Sequence, residues 1–161
     1  MNRTRAESFI AAHEGCEFIA YDDTEGKRTV GVGFNLDRAG ADTRIHALGL
    51  DYTDVYHGRC TLTTAHCSAL FTVDLDDAIA DAKAIVSNFA SQPEDIQMVI
   101  VDMIFNLGAS GFSKFVNTVA ALQRHDYCKA ADEMQSSKWA QQVPNRAKDD
   151  IALVRLYCLP T

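Results

Sequence analysis

The pattern of apolar and polar residues changes character along the chain. Near the start, Thr4 and Glu7 have the spacing of a capping box, which predicts a helix that stops near Gly15. Residues 18–22 and 28–32 are rich in strand-forming side chains, and the turn-forming sequence "DTEG" lies between them. The first third of the chain therefore predicts one helix followed by a β-hairpin.

From residue 63 onward the apolar period becomes 3.6 residues. One face carries Leu75, Ile79 and Ala82, which predicts a helix of about seven turns that ends before Pro93. Residues 94–108 are apolar nearly all round, typical of a buried central helix with Gly108 as its stop. Further helices are predicted over 112–123, 127–135 and 144–156. Residues 37–61 have weak periodicity and predict a loop with one short helix.

This order of elements predicts a single domain over residues 1–161 with an α+β, mostly helical fold. We expect a small β-containing lobe over 13–62, a connecting helix over 63–90, and a helical lobe over 91–161 that also takes in helix 4–14. A chain of 161 residues with 47% hydrophobic content can bury a core of this size. No apolar run approaches the roughly 18 residues that span a bilayer, and charges interrupt the N-terminal apolar patch. We therefore expect no integral membrane segment and no secretory signal.

The net charge, the cysteines and the short motifs limit which partners and cofactors are expected. A formal net charge of -7, with acidic residues concentrated in "VDLDDAIADA", disfavours binding to nucleic acid. Five scattered cysteines favour free thiols in a reducing compartment. The spacing of His57, Cys60, His66 and Cys67 matches no common zinc motif, and "VGVGF" lacks the third glycine of a nucleotide loop. We therefore expect no metal and no organic cofactor.

Two carboxylates beside the predicted hairpin are candidates for catalysis. Glu14 ends an apolar helix, where partial desolvation favours the protonated acid, whereas Asp23 lies in a polar turn that favours the ionised form. Carboxyl groups in contrasting environments are the pattern of a glycoside hydrolase. The adjacent Asp22 would point to the opposite face of the strand, and Glu25 is expected to face solvent. Spacing alone is equally compatible with a solvated acidic surface.

The residues around these carboxylates resemble a known family. Glu14-Gly15, Asp23-Thr24-Glu25-Gly26 and "TVGVG" at 29–33 are similar to the catalytic signature of the T-even-phage-type lysozymes, the muramidases of phage lysis and virion entry. The stretch from "DMIFNLG" through Trp139 to "PNRAK" is similar to the C-terminal lobe of that family. The resemblance covers about the first 36 residues and nearly everything after Thr61. It implies a lysozyme-like fold and peptidoglycan as the substrate.

The resemblance implies a role for each matching residue. Glu14 would be the general acid, and Asp23 with Thr29 would place the attacking water. The family inverts the anomeric centre, so a carboxyl separation of roughly 6.5 to 9.5 Å is expected.

The remaining matching residues would bind the substrate or support the catalytic acid. Gly33, Phe105 and Asn106 would line the sugar cleft, and Arg146 would lie near Glu14 and support it.

Two features depart from the family. Phe34 stands where the family has a histidine, so the usual ion pair with Asp74 cannot form. The acidic net charge is unusual for an enzyme acting on an anionic wall, which suggests delivery as a module of a larger virion protein, although a free endolysin fits too. We expect a monomer, made in the host cytoplasm and acting on the wall in the periplasm.

Other possibilities stay open. A disulfide between Cys128 and Cys158 is possible because the resemblance places their helices side by side, but a reducing compartment disfavours it. A thiol-dependent wall peptidase could use Cys16 near His13. A non-catalytic wall-binding module could retain the same fold.

Overall fold

A computed structural model describes residues 1–24 and 26–158. The expectation that Glu25 faces solvent lies outside the described residues. The elements, in chain order, are α1 (Arg3–Glu14), β1 (Glu17–Asp22), β2 (Arg28–Gly31), β3 (Phe34–Asn35), α2 (Ala41–Ala47), α3 (Tyr52–Tyr56), α4 (Thr64–Ile85), a 3-10 turn (Phe89–Ser91), α5 (Glu94–Phe112), α6 (Val116–Gln123), α7 (Tyr127–Gln135), α8 (Lys138–Gln142) and α9 (Pro144–Arg155). This order confirms the mostly helical α+β fold.

The contacts within the chain divide it into two compact units. One comprises residues 10–76, and the other comprises residues 1–9 together with 77–161. Both α1 and α4 begin in one unit and end in the other. The predicted connecting helix over 63–90 is shorter than expected, because α4 ends at Ile85 and a separate 3-10 turn precedes Pro93.

The unit of residues 10–76 is built on a three-stranded antiparallel sheet in the order β1-β2-β3. Tyr21 pairs with Thr29 across the first two strands, and a register shift between Glu17 and Tyr21 places an irregularity in β1. Its core includes Val30, Phe34, Leu36, Ile45 and Leu70, all nearly inaccessible to solvent.

The segment that the sequence predicts as mostly loop contains two short helices, α2 and α3. The Asp51 carboxylate accepts a hydrogen bond from the Asp54 backbone N–H and so caps α3. The Tyr52 hydroxyl donates to the Leu36 carbonyl at 2.7 Å, and the Arg28 Nε–H donates to the Tyr56 carbonyl at 2.7 Å. These bonds fasten the segment to the strands, so it supports the hairpin.

In the other unit α5 is the central helix, with its residues from Ile96 to Ile104 buried. α9 packs against α5, α7 and α8, and α6 packs against α7. Gly108 breaks the helical geometry of α5 with φ of 71°, as expected, but helical turns resume and continue to Phe112. The next helix therefore begins at Val116 and not at residue 112.

The cysteines depart from the expectation of five free thiols. Cys128 and Cys158 form a disulfide, with their Cα atoms 5.0 Å apart, and so join the start of α7 to the segment after α9. The helices that carry or precede these residues pack together, which brings the two thiols within bonding range. Cys16, Cys60 and Cys67 are free.

Among the described residues, no single helix has both the length and the apolar character of a membrane span. α5 and α6 reach that standard only as a pair, and the pair is bent by 118°.

Candidate active site

Glu14 is the last residue of α1 and is half-buried. It lies beside Gly33, in the turn between β2 and β3. A Cβ atom at Gly33 would lie 3.2 Å from the Glu14 Oε2 atom, and the Gly33 φ of +72° is one that side-chain-bearing residues rarely adopt. Backbone geometry and the close approach of a carboxylate therefore both favour glycine here.

Asp23 follows β1 and is held by the hairpin turn. Its carboxylate accepts a hydrogen bond from the Lys27 backbone N–H at 2.8 Å, and its own N–H donates to the Lys27 carbonyl at 2.9 Å. The neighbouring Asp22 is instead exposed and forms an ion pair with Arg28 at 3.1 Å. The turn thus supplies a backbone donor to the Asp23 carboxylate, and the role of Asp23 stays a prediction.

Thr29 lies on β2 and is buried, with 3% of its surface exposed. Its hydroxyl donates to the Lys27 carbonyl at 3.1 Å. Because a hydroxyl has one donor and two acceptor positions, the Thr29 oxygen can still accept a hydrogen bond from a water molecule. The Lys27 backbone thus forms hydrogen bonds with both the Asp23 carboxylate and the Thr29 hydroxyl.

Tyr21, which was not predicted from the sequence, lies close to the candidate carboxylates. Burial raises the pKa of its phenol, and the negative charges of Glu14, Glu17 and Asp23 raise it further. The phenol therefore lies within electrostatic range of both candidate carboxylates. Its place opposite Thr29 on the paired strand was a signal that could have identified it.

The candidate residues on α5 lie in the helical unit. Asn106 Oδ1 accepts a hydrogen bond from the Trp139 indole N–H at 2.8 Å, and the Phe115 ring meets the Trp139 ring edge-on at 6.3 Å. Phe105 and Asn106 are both half-buried. The buried indole fixes the orientation of the Asn106 amide, because it donates to one specific atom of that group.

A groove of about 760 Å³ adjoins this contact within the helical unit. Its lining includes Phe115, Trp139, Asn117, Thr118 and Glu133, a mixture of aromatic surface with hydroxyl, amide and carboxylate groups. Asn117 donates to the Glu133 carboxylate at 3.2 Å. Such a surface offers both stacking and hydrogen bonds to a polar ligand.

Arg146 is buried at the first turn of α9, where its Nε lies 3.0 Å from the Asp102 Oδ2 atom of α5. Asp150 follows one turn later on the same helix and is fully buried. Burial raises the pKa of Asp150 well above its ordinary range, and the charge and hydrogen bond of Asp102 raise it further. Two buried carboxyl groups thus accompany one guanidinium, and the protonated form of Asp150 is favoured.

Arg146 was predicted from the sequence as a supporting residue, whereas its buried partners Asp102 and Asp150 were not. Asp102 is the one acid of α5 beyond its first turn, and Asp150 lies four residues after Arg146. A buried charge needs a partner, so both positions carried a signal. The predicted support of Glu14 by Arg146 stays a prediction.

Phe34, at the position of the family's histidine, is part of a different arrangement around Asp74. Arg38 and Arg44 both form ion pairs with the buried Asp74 carboxylate, the latter at 3.1 Å. The Arg38 guanidinium also lies over the Phe34 ring, 4.3 Å from its centroid. The expected loss of the histidine ion pair is thus offset by two arginines.

His66 and Cys67, in the first turn of α4, make local contacts. The Thr63 hydroxyl accepts from the His66 N–H at 3.2 Å, and His66 Nδ1 accepts from the Thr63 N–H at 3.3 Å, which caps α4 reciprocally. Cys67 packs against Gly31. Within residues 1–24 and 26–158, no group of three or more potential ligands is placed to hold a metal ion.

The mostly helical α+β fold is that of a lysozyme-type glycosidase, and it places one carboxylate at the end of the first helix and a second in the following hairpin. The phage lysozyme family matches residues 11–154, and the chain belongs to that family.

Individual relatives agree with this assignment. The chain is 26% identical over 153 residues to probable T4-type lysozyme 1 of Dictyostelium discoideum, with 88% of each chain covered. It is 25% identical over 149 residues to probable T4-type lysozyme 2 of the same organism, with 87% of each covered. It is 28% identical over 156 residues to the pre-baseplate central spike protein Gp5 of Enterobacteria phage T4, covering 91% of this chain and 26% of that protein.

Proposed function

We propose that this lysozyme is an N-acetylmuramidase that hydrolyses the β-1,4 bond between N-acetylmuramic acid and N-acetylglucosamine in peptidoglycan. The observation that carries the proposal is the arrangement in residues 10–76. The Glu14 carboxylate lies against Gly33, while Asp23 and Thr29 are both anchored to Lys27. One acid at a helix end and one anchored carboxylate beside a hydroxyl supply the groups that the reaction needs.

In the proposed mechanism, Glu14 gives its proton to the glycosidic oxygen as the bond to the anomeric carbon breaks. Asp23 accepts a proton from the attacking water, and the Thr29 oxygen helps to hold that water. Attack on the face opposite the departing sugar inverts the anomeric centre. The ionised Asp23 also offsets positive charge on the oxocarbenium-like transition state. None of these steps requires a metal or an organic cofactor.

The helical unit would contribute to substrate binding. We assign Phe105 and Asn106 to the sugar-binding surface, with Asn106 oriented by the indole of Trp139. The groove beside Trp139 would bind a further part of the polymer. Gly33 would allow the substrate to approach the Glu14 carboxylate on the hairpin side.

The similarity to a virion spike protein bears on how the enzyme reaches the wall. Because the matching region is 26% of that spike protein, a unit of this size that is similar to this chain occurs within a longer virion protein. We propose that this chain acts on the bacterial wall in the periplasm after synthesis in the host cytoplasm. A role as a monomeric module of a virion protein fits its acidic charge, and a free endolysin is the alternative.

The test compares the wild type with Glu14→Gln in the clearing of outer-membrane-permeabilised Gram-negative cells. The substitution keeps the shape of the side chain and removes its transferable proton, so we expect clearing to slow by at least about 100-fold. Glu17→Gln, which removes a charge at an exposed position three residues away, is the matched control and should clear like the wild type. Circular dichroism at equal concentration checks that all three proteins are folded.

Two other outcomes would redirect the proposal. Equal clearing by the wild type and Glu14→Gln would point to a different catalyst such as Cys16, which thiol alkylation would then inactivate. Binding of the wild type to purified sacculi without release of reducing sugar ends would indicate a wall-binding module.

A further inference from the structure

Two free cysteines meet beside the hairpin of residues 10–76. Cys16 lies between α1 and β1 and is exposed, whereas Cys67 lies in the first turn of α4 and is 2% exposed. Glu17, the residue after Cys16, pairs with Gly31 of β2. A Cβ atom at Gly31 would lie 3.6 Å from the Cys67 Sγ atom. Strand register and side-chain packing thus bring both cysteines to the same point of the sheet.

The electrostatics of the Cys67 thiol agree with this placement. Burial raises its pKa, and a hydrogen bond with the Cys16 side chain raises it further. Two thiols in contact, one of them open to solvent, are the arrangement that thiol–disulfide exchange requires.

We propose that Cys16 and Cys67 form a reversible dithiol–disulfide pair, a site of thiol oxidation two residues after Glu14. The pair belongs to the unit of residues 10–76 and is separate from the Cys128–Cys158 disulfide of the helical unit. Its closure would fasten the end of α1 to the start of α4 by a covalent bond.

The oxidant is a low-molecular-weight disulfide. The Cys16 thiolate attacks one sulfur of that disulfide, whose S–S bond breaks and releases one thiolate. Cys67 then gives its proton to solvent and attacks the Cys16 sulfur, so the second thiolate leaves as the Cys16–Cys67 bond forms. Two protein thiols are oxidised, and one disulfide is reduced to two thiols.

The two cysteines have different roles in this sequence. Exposure makes Cys16 the attacking thiol. Burial, followed by the hydrogen bond and charge of Cys16, raises the pKa of the Cys67 thiol to about 12. Cys67 is therefore rarely a thiolate near neutral pH, and the closing step should be slower than the first. A mixed disulfide at Cys16 should appear before the internal bond.

The experiment treats the full chain with glutathione disulfide and removes samples over time. Each sample is quenched with acid, alkylated without reductant, digested and analysed by mass spectrometry. We expect a glutathionyl group on Cys16 first, followed by its loss and a peptide in which Cys16 is joined to Cys67. Cys60 lies near Cys67 in the sequence, so Cys60→Ser is the matched control and should form the same crosslink.

Two variants make the result decisive. Cys67→Ala should retain the mixed disulfide at Cys16 and form no crosslink, with circular dichroism as the check on folding. Cys16→Ser, at an exposed position, should lose both products. A mixed disulfide that persists in the wild type, a bond from Cys16 to Cys60, or alkylation of Cys16 and Cys67 throughout the time course would overturn the proposal.

Discussion

Gly33 and Gly40 have similar positive φ angles but different surroundings. Their φ values are +72° and +79°, so a side chain at either position is strained. A Cβ atom at Gly40 would meet no atom within 4 Å, whereas one at Gly33 would press on the Glu14 carboxylate. A comparison of alanine substitutions at the two positions therefore separates the effect of backbone strain from an effect on the proposed acid, Glu14.

We predict that Gly33→Ala and Gly40→Ala lower the free energy of unfolding by similar amounts, about 1–2 kcal/mol each. Only Gly33→Ala should also slow the clearing of permeabilised cells, by about tenfold or more, because the Glu14 carboxylate must shift from its position. Urea unfolding and turbidity measure the two effects. Equal activity of the two variants would show that Glu14 tolerates the displacement.

At the scale of elements, α5 and α9 are joined by the buried group of Asp102, Arg146 and Asp150. Because the pKa of Asp150 is raised on folding, the folded chain holds this proton more tightly than the unfolded chain does. The contribution of Asp150 to stability is therefore fully present below about pH 4 and is lost as the pH rises toward the folded pKa. The contact between the helices thus depends on a retained proton.

Asp150→Asn replaces the protonated acid by an amide, which donates a hydrogen bond without needing a proton. We predict that the variant matches the wild type near pH 4 and is more stable by about 1–3 kcal/mol near pH 7. Urea unfolding at the two pH values tests this, with Asp149→Asn, at an exposed neighbouring position, as the control for lost charge. A variant that is less stable at both pH values would mean that the carboxylate itself accepts essential hydrogen bonds.

The sequence predicted the elements whose signals are local. β1, β2 and α7 lie where residue type and periodicity place them, because their patterns are regular. The Thr4 capping box was wrong: α1 begins at Arg3, and the Asn2 side chain accepts from the Arg5 N–H at 3.1 Å. A two-residue strand such as β3 has too few positions to show alternation, and it is defined by its partner on β2.

The short helices and the buried polar groups were not predicted from the sequence, because both depend on tertiary contacts. α2 and α3 are stabilised by contacts with the sheet, such as the bond from Tyr52 to Leu36, which no local pattern encodes. The environment of the proposed catalytic carboxylates was partly predictable, since the turn around Asp23 has a sequence signal. The pairing of Asp102 with Arg146 depends on how α5 and α9 pack, which is a property of the tertiary structure.

At the scale of the whole molecule, the net charge of -7 has a consequence for the proposed substrate. Charges of the same sign on the protein and on an anionic wall repel each other, and salt screens that repulsion. Salt should thus increase the activity of an acidic lysozyme on this substrate, whereas it should decrease the activity of a basic one.

We predict that digestion of purified sacculi accelerates severalfold as the ionic strength rises from about 0.01 M to about 0.1 M, where the Debye length falls from about 30 Å to about 10 Å. Release of reducing ends measures the rate. Sacculi whose carboxyl groups have been amidated are the control, and their digestion should depend much less on salt. A rate that falls with salt on untreated sacculi would indicate that a local positive surface guides binding.

The two arginines around Asp74 also affect the pH range over which the fold keeps its contacts. A histidine in that place would give up its proton, and with it the attraction to a carboxylate, as the medium becomes mildly alkaline. Guanidinium groups keep their charge far beyond that range. The ion pairs that join α4 to the residues after β3 should therefore be equally strong from about pH 6 to about pH 9. The chain should thus keep this contact in mildly alkaline solution.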